Sequence, residues 1–535
     1  LSDKARTQHA DAATPTRASV TSSEAPERTA SMSGPDSTPD PTSPAEPHLP
    51  ATAAGTGATD SRRESRAEPN SGRRGVQALA MRLHFYAGVF VAPFILVAAV
   101  TGALYAISPT LEQFVSRDLL TVDQTGAPRP LAEQIDAATA LRPDLALVAV
   151  SPAPGATDTT RVIFADPALG ESERHAVFVD PYTAEPIGES VVYGSSGALP
   201  LRTWIDRLHR DLHLGEPGRL YSELAASWLW IVALAGLALW WRRVRTRRSR
   251  SSSAWLLAPD RSRGGRLRNM NWHGAIGMWI LPLAALLSVT GMTWSTYAGA
   301  NIGDLRAQLS WTTPAVSTSL GEGAPAAGPS GDHQHHGGGH VGGASADSGS
   351  RAQEIDRAYA AARAAGITQA AEITVPQKAD RAYAVKERRL PGIYTVDSVA
   401  VDGRNGAITD RLDYADWPLM AKLTNWGIQF HMGLMFGLAN QLLLLAAMIG
   451  LVVVIVLGYR MWWQRRPTRD AGRFAFGRAP RRGALRGSSL WLVLPLLAAT
   501  VVVGWFVPLV GLSLLGFLVI DTLIGLRQRF GAAAS

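Results

Sequence analysis

Runs of about twenty apolar residues, the length a helix needs to cross the hydrocarbon core of a bilayer, recur along this chain of 535 residues. Six spans are expected, at about 84–107, 222–241, 273–297, 434–458, 489–506 and 509–526. Only a tight turn near Val507 and Pro508 separates the last two, so one kinked re-entrant hairpin is the alternative there. Pro93 and Pro282 fall inside spans, where neighbouring helices can satisfy the backbone groups that proline frees. The fold class is therefore an α-helical polytopic membrane protein with polar segments between its spans.

Basic residues set the orientation. Ten arginines lie in 242–268, nine in 460–486, and Arg62, Arg63, Arg73, Arg74 and Arg82 precede the first span. With six spans all of these share one side, which should be cytoplasmic together with both termini. The segment 109–200 has thirteen acidic residues against five basic ones, and it should lie outside with 299–420. Trp240, Trp241, Trp462 and Trp463 sit at the inner ends as interfacial anchors. Residues 1–75 hold almost no large apolar side chains, so they read as a disordered cytoplasmic tail without a signal-peptide core.

The chain repeats itself. A shift of 189 carries His84 onto His273, Gly88 onto Gly277, Pro93 onto Pro282, and Thr101-Gly102 onto Thr290-Gly291. A shift of 222 carries Asp180 onto Asp402, Trp204 onto Trp426, His209 onto His431, Gly215 onto Gly437, Gly236 onto Gly458, and Trp240-Trp241 onto Trp462-Trp463. The 33 additional residues fall in the second outer segment, mostly in the Gly/Ala/His-rich stretch 321–350. Each unit is thus helix, outer domain, helix, and the two run in the same direction. The expected order is a first span in 78–108, outer domain 109–200, second span in 201–242, basic loop 243–268, third span in 269–298, outer domain 299–420, fourth span in 421–460, basic loop 461–488 and a terminal hairpin over 489–527. The outer domains read as small α+β units. The first has a helix at 131–141, a strand in RVIFAD and a hairpin in HAVFVDPYTAEPIGE; the second has a helix at 351–366, strands in ITVPQ and AYAVKE, and a hairpin in SVAVDGRNGAITDRL.

The twelve histidines carry the chemistry. An isolated interfacial histidine ordinarily bonds a carbonyl or sits among headgroups, but here histidines recur at equivalent positions on both sides of the bundle. His84 and His273 share one depth, and His209 and His431 share the other. Two neutral imidazoles facing each other across a bundle can supply both axial ligands of a haem. Without cysteine there is no CxxCH attachment and no thiolate-held iron–sulfur cluster, so such a haem would be bound non-covalently. Gly88 and Gly277, one turn beyond their histidines, either leave room for a porphyrin or permit close helix packing. His213, one turn from His209, aligns with Met435, so the repeat favours His209 as ligand and leaves His213 to hold a propionate or a substrate. His333, His335, His336 and His340 form a cluster that can take copper, zinc, nickel or iron, or is an adventitious metal-binding loop. Asp521 is expected to pair with Arg527 or Arg529.

LHFYAG…TG, WHGAIG…TG, LHRDLHLGEPGR before a span ending in WWRR, FHMGLMFG, and the closing WFVPLVGLSLLGFLVIDTLIG together resemble the PepSY-associated transmembrane helix family. VFVDPYTAEPIG and VAVDGRNGAITD are similar to PepSY domains. The resemblance covers about 78–530 and includes iron-regulated membrane proteins and ferric-siderophore reductases of the inner membrane. It implies two haem b groups at His84/His273 and His209/His431, passing electrons outward to a ferric siderophore or another metal complex. No flavin or nucleotide motif is visible, so a quinol or a cytoplasmic reductase must be the donor; no nucleic-acid partner is expected. A permease for iron, siderophore or copper, and a non-catalytic PepSY regulatory or binding module, are the alternatives.

Overall fold

The computed structural model describes residues 71–248, 256–262, 264–321, 348–465 and 489–533. Most of the expected tail 1–75, the cluster His333, His335, His336 and His340, and nearly all of the basic loop 461–488 lie outside the described residues. Helices α1 (Ser71–Phe90) and α2 (Ala92–Val115) are one rod interrupted at Val91. Pro93 explains the break, because it has no N–H to donate to the carbonyl four residues back. That carbonyl, on Val89, instead accepts the Tyr459 hydroxyl of another span at 2.9 Å. The rod begins inside the segment expected to be tail, and α2 continues well past residue 107 and is followed by the single turn α3 (Arg117–Leu120), so the first outer segment starts later than the sequence suggested.

The stretches expected to hold the second and fourth spans each divide into a short helix and a long one. The first gives α5 (Pro200–Asp211) and α6 (Glu216–Arg248), the second α10 (Leu419–His431) and α11 (Leu438–Trp463). Leu212, His213 and Gly215 separate the first pair with φ of 54°, 55° and 64°, and Gly433 and Gly437 separate the second with 73° and 54°. Left-handed residues end a helix, and the chain turns there before entering the bundle. With α7 (Gly265–Met292), these long helices form the bundle: α2 packs on α11, and α7 packs on both α6 and α11. Alanines at 87, 92, 99, 225 and 447 line the contacts and let the backbones approach.

Among the described residues, five helices are long and apolar enough to cross a membrane, namely Ala92–Val115, Glu216–Arg247, Gly265–Met292, Leu438–Trp463 and Pro508–Arg527. The expected span at 489–506 is α12 (Leu490–Phe506), apolar but only 17 residues long. It forms a hairpin with α13 (Pro508–Ala533), in which Gly504 and Gly511 touch backbone to backbone. Trp491 and Trp505 on α12 are 90% and 83% exposed, and large apolar side chains are exposed along α11 and α13 as well. So much exposed apolar surface belongs in lipid, and the chain is a multi-pass membrane protein. The Asp521 carboxylate, expected to pair with Arg527 or Arg529, accepts from Arg82 of α1 at 3.1 Å, while the Arg529 side chain lies outside the described residues.

The segments between the first and second spans of each unit build one sheet. Eight antiparallel strands run in the order β4-β3-β2-β1-β5-β6-β7-β8, with β1 (Ala146–Ser151), β2 (Thr160–Ala165), β3 (Glu173–Val179) and β4 (Pro186–Tyr193) from the first unit. The second unit gives β5 (Ala371–Thr374), β6 (Tyr383–Glu387), β7 (Ser398–Val401) and β8 (Ile408–Leu412). Two independent units were expected; instead β1 and β5, each an edge strand in its own half, pair through Ala149↔Thr374 and Val150↔Ile373. Fusing them removes two open edges. Helices α4 (Leu131–Leu141) and α9 (Ser348–Ala364) cover the same face and share one core with Val150, Phe164, Ile373 and Val399. The repeated aspartates belong to the hairpin turns: Asp180 and Asp402 donate their backbone N–H groups to Glu185 and Ala407, each at 2.9 Å.

A short helix α8 (Tyr297–Gln308), absent from the sequence reading, follows α7. Glu223, 2% exposed, accepts the backbone N–H groups of Thr296, Tyr297 and Ala298 at 2.9, 3.1 and 2.9 Å. A carboxylate at a helix N-terminus both bonds the free donors and meets the positive end of the dipole. Glu223→Ala is expected to lower stability by about 2 kcal/mol or more, with Glu223→Gln recovering part. Thermal unfolding in detergent measures this, and a melting temperature equal to wild type for Glu223→Ala would contradict it.

Candidate functional site

His84 lies on α1 and His273 on α7, near the end of the bundle where Trp240 and Trp462 sit. Their ring centres are 6.0 Å apart with planes at 83°. Each ring is fixed in the same way. His84 Nδ1 bonds the Val232 carbonyl at 3.0 Å, and His273 Nδ1 bonds the Val454 carbonyl at 2.8 Å. A carbonyl only accepts, so both nitrogens carry the proton and leave Nε2 as the free lone pair. Val232 and Val454 are equivalent under the shift of 222. One turn further, a Cβ at Gly236 would lie 2.9 Å from His84 Cε1, and one at Gly458 would lie 3.6 Å from His273 Cε1. Each imidazole therefore rests on a glycine of the neighbouring helix.

His209 lies on α5 and His431 ends α10, at the sheet end of the bundle. His209 Nδ1 bonds Thr101 Oγ1 at 2.9 Å, and His431 Nδ1 bonds Thr290 Oγ1 at 2.7 Å. Both hydroxyls already donate to carbonyls of their own helix, Thr101 to Val97 at 2.9 Å and Thr290 to Leu286 at 2.7 Å. The hydroxyls must then accept from the imidazoles, and Nε2 is again the unprotonated nitrogen. Gly102 and Gly291 lie beside the two rings, a Cβ there falling 3.1 and 3.7 Å from Cε1. An aromatic ring accompanies each: Tyr105 stacks on His209 with centres 6.2 Å apart, and Trp294 meets His431 edge-on at 5.2 Å. Tyr105 and Trp294 are equivalent under the shift of 189. His431 also lies within the electrostatic reach of His209.

The structure thus brings His84 to His273 and sets His209 and His431 at the same end of the bundle. Two imidazole nitrogens on one metal, each roughly 2 Å from it, put the ring centres roughly 6 Å apart, the spacing of the first pair. Neutral imidazoles with a fixed Nδ1–H and a free Nε2 are the donor set that haem iron takes. Gly88 and Gly277 face open space, with no atom within 4 Å of a Cβ built on either. His213 goes elsewhere. It is exposed, its Nε2 bonds the Trp204 carbonyl at 3.0 Å, and its ring lies 5.0 Å from that of Trp204.

His213 lines a cleft of about 800 Å³ with Arg207, Arg210, Arg219, Asp304 and Trp294. Trp294 thus lies between the cleft and His431. No group of three or more possible metal-holding side chains of the His, Cys, Asp or Glu type occurs among the described residues. Sequence reasoning missed the partners of the histidines. Thr101, Gly102, Thr290, Gly291, Gly236 and Gly458 were visible in the repeat, yet nothing local tied them to a ring on another helix. Tyr105 and Trp294 differ in type and gave no signal.

Among known families, the one described as the PepSY-associated TM region matches residues 81–465. A stretch of 93 residues is 36% identical to an uncharacterized protein of Pseudomonas aeruginosa, PA4219, covering 17% of this chain. The likeness spans 21% of that relative's own length.

Proposed function

This chain belongs to the family of the PepSY-associated TM region, and on that premise we propose that it is a haem b-binding electron-transfer protein of the cytoplasmic membrane. In this reading it reduces a ferric siderophore or another oxidised metal complex on the outer side, for iron acquisition. The observation that carries the reading is the repetition of one arrangement four times: an imidazole with Nδ1 committed, Nε2 free, and a glycine beneath it, two at each end of the bundle. His84 and His273 would hold one haem and His209 and His431 the other. Haem supplies a one-electron couple there. Val232, Val454, Thr101 and Thr290 keep the tautomers that leave Nε2 available.

The remaining assignments follow from the same reading. Both termini and the arginine-rich loops are cytoplasmic, the α12–α13 hairpin completes six crossings, and the two halves of the sheet are PepSY-like outer domains. The cleft beside Trp294 is where an oxidised complex docks, so that its metal lies near His431 across one indole. The chain's own residues bind and orient the complex, while the electron comes from a separate quinol or reductase.

Reduction in detergent tests this. Protein expressed with ample haem should show a low-spin b-type spectrum that sharpens with dithionite and reoxidises when a ferric chelate is added. A colourless protein overturns the reading and leaves a permease or a binding module. A spectrum that no ferric or cupric complex reoxidises retains the haem and removes the reductase.

A further inference from the structure

The sheet end of the bundle holds positive charge that the described residues leave partly unbonded. Arg202 on α5 is 4% exposed. Its Nη1 lies 3.6 Å from Glu112 Oε1, but Nε and Nη2 are buried without a hydrogen-bond partner. Glu112 is shared, because its other oxygen accepts the Leu199 backbone N–H at 2.6 Å. Asp206, one turn along α5, is a further acid in the field of Arg202 but leaves those two nitrogens unbonded. Arg161, whose charge also reaches Glu112, donates from Nη1 to the Gly197 carbonyl at 3.2 Å, and Arg388 converges on the same glycine: a Cβ there would lie 3.2 Å from Arg161 Nη1 and 3.6 Å from Arg388 Nη2. Neither guanidinium forms an ion pair with a carboxylate among the described residues; Glu372 and Asp158 act on Arg388 only through space. Burial and the Arg388 charge hold Arg161 down at about 10.

A buried guanidinium with free N–H groups is costly unless an anion completes it. Arg202 also has a defined relation to the outer histidine. It precedes His209 by two turns on the same helix face, roughly 10 Å along the axis. Its guanidinium also lies close enough to the Tyr105 hydroxyl for a weak interaction, longer than a full hydrogen bond, and the Tyr105 ring stacks on His209. We propose that Arg202, backed by Arg161 and Arg388, is the carboxylate-binding roof of the outer histidine pair, and that its Nε and Nη2 take the propionates of a porphyrin held by His209 and His431. This rests on the haem reading above and deepens it. It also assigns the propionates to Arg202 rather than to His213, whose Nε2 is occupied by the Trp204 carbonyl.

The test compares haem b with its dimethyl ester, in which both propionates are uncharged. The full chain is purified haem-free in a His84→Ala background, so that the outer pair alone is titrated and followed by its visible spectrum. The parent is expected to bind haem b about 10- to 100-fold more tightly than the ester, the range for hydrogen bonds to a charged group. Arg202→Gln should bring that ratio close to one, and Arg202→Lys should restore part of it. Glu112→Gln/Arg202→Gln removes the buried pair together and should behave as Arg202→Gln, which separates lost recognition from a stranded carboxylate. Equal affinity of the parent for the two porphyrins overturns the proposal, as does an unchanged ratio in the double variant. Failure of the parent to take up either porphyrin overturns the haem reading as well, so the two failures are distinguishable.

Discussion

His84→Ala and His431→Ala are each expected to lose about half of the bound haem, and the double variant His84→Ala/His431→Ala nearly all of it. The two residues stand at opposite ends of the bundle, His84 against His273 and His431 near His209. Removing one imidazole leaves a single axial donor at that end and leaves the other end intact. By contrast, His84→Ala/His273→Ala should lose no more than His84→Ala alone, because both act on one site. This contrast reads the pairing directly. Haem per polypeptide, with the low-spin band of the reduced protein, measures it. If His84→Ala/His273→Ala loses twice as much as either single variant, the cross-unit pairing is wrong. His213→Ala should keep the full complement, since its ring is bonded to the Trp204 carbonyl and exposed.

The glycines beneath the imidazoles should respond unequally although they occupy repeated positions. A methyl at Gly236 would sit 2.9 Å from His84 Cε1 and 3.3 Å from its Nδ1, closer than real Cβ contacts allow. The ring would have to move off its bond to the Val232 carbonyl. The matching methyl at Gly458 would sit 3.6 Å from His273, an ordinary van der Waals contact. At the other end, Gly102 is again the tighter, at 3.1 Å against 3.7 Å for Gly291. Overpacking of this kind costs about 1–3 kcal/mol, or roughly 5- to 150-fold in haem affinity. Gly236→Ala should therefore release haem fastest, Gly102→Ala less so, while Gly458→Ala and Gly291→Ala stay near wild type. Transfer of haem to a competing apoprotein measures all four. Equal behaviour, or greater sensitivity in the second unit, would refute the geometric argument.

Much of the fold was legible in residue order. Helix α4 spans the 131–141 read from apolar spacing, and the expected hairpins became β3–β4 and β7–β8. These elements depend on local periodicity and turn chemistry. Where the reading failed, the cause was non-local. The breaks at Leu212–Gly215 and Gly433–Gly437 lie among residues that are individually compatible with a helix end or a loop. Asp521 meets Arg82, far away in the sequence, because α1 lies alongside α13. Strand β1 is central in the sheet, and its pairing to β5, which makes one sheet of two halves, joins residues more than two hundred positions apart.

By itself the sequence determined that the chain is a membrane protein, that it repeats, and that His84, His209, His273 and His431 recur at two depths. These follow from apolar length and spacing, which need no knowledge of neighbours. The tertiary structure alone decided what each imidazole touches. Rings from different units come within 6.0 Å only because α1 and α7 face each other. Their tautomers are set by carbonyls and hydroxyls across helix contacts, whose register depends on small residues packing between the spans. It likewise placed the unbonded nitrogens of Arg202 near the outer pair, since desolvation is a property of the packed bundle and sheet together.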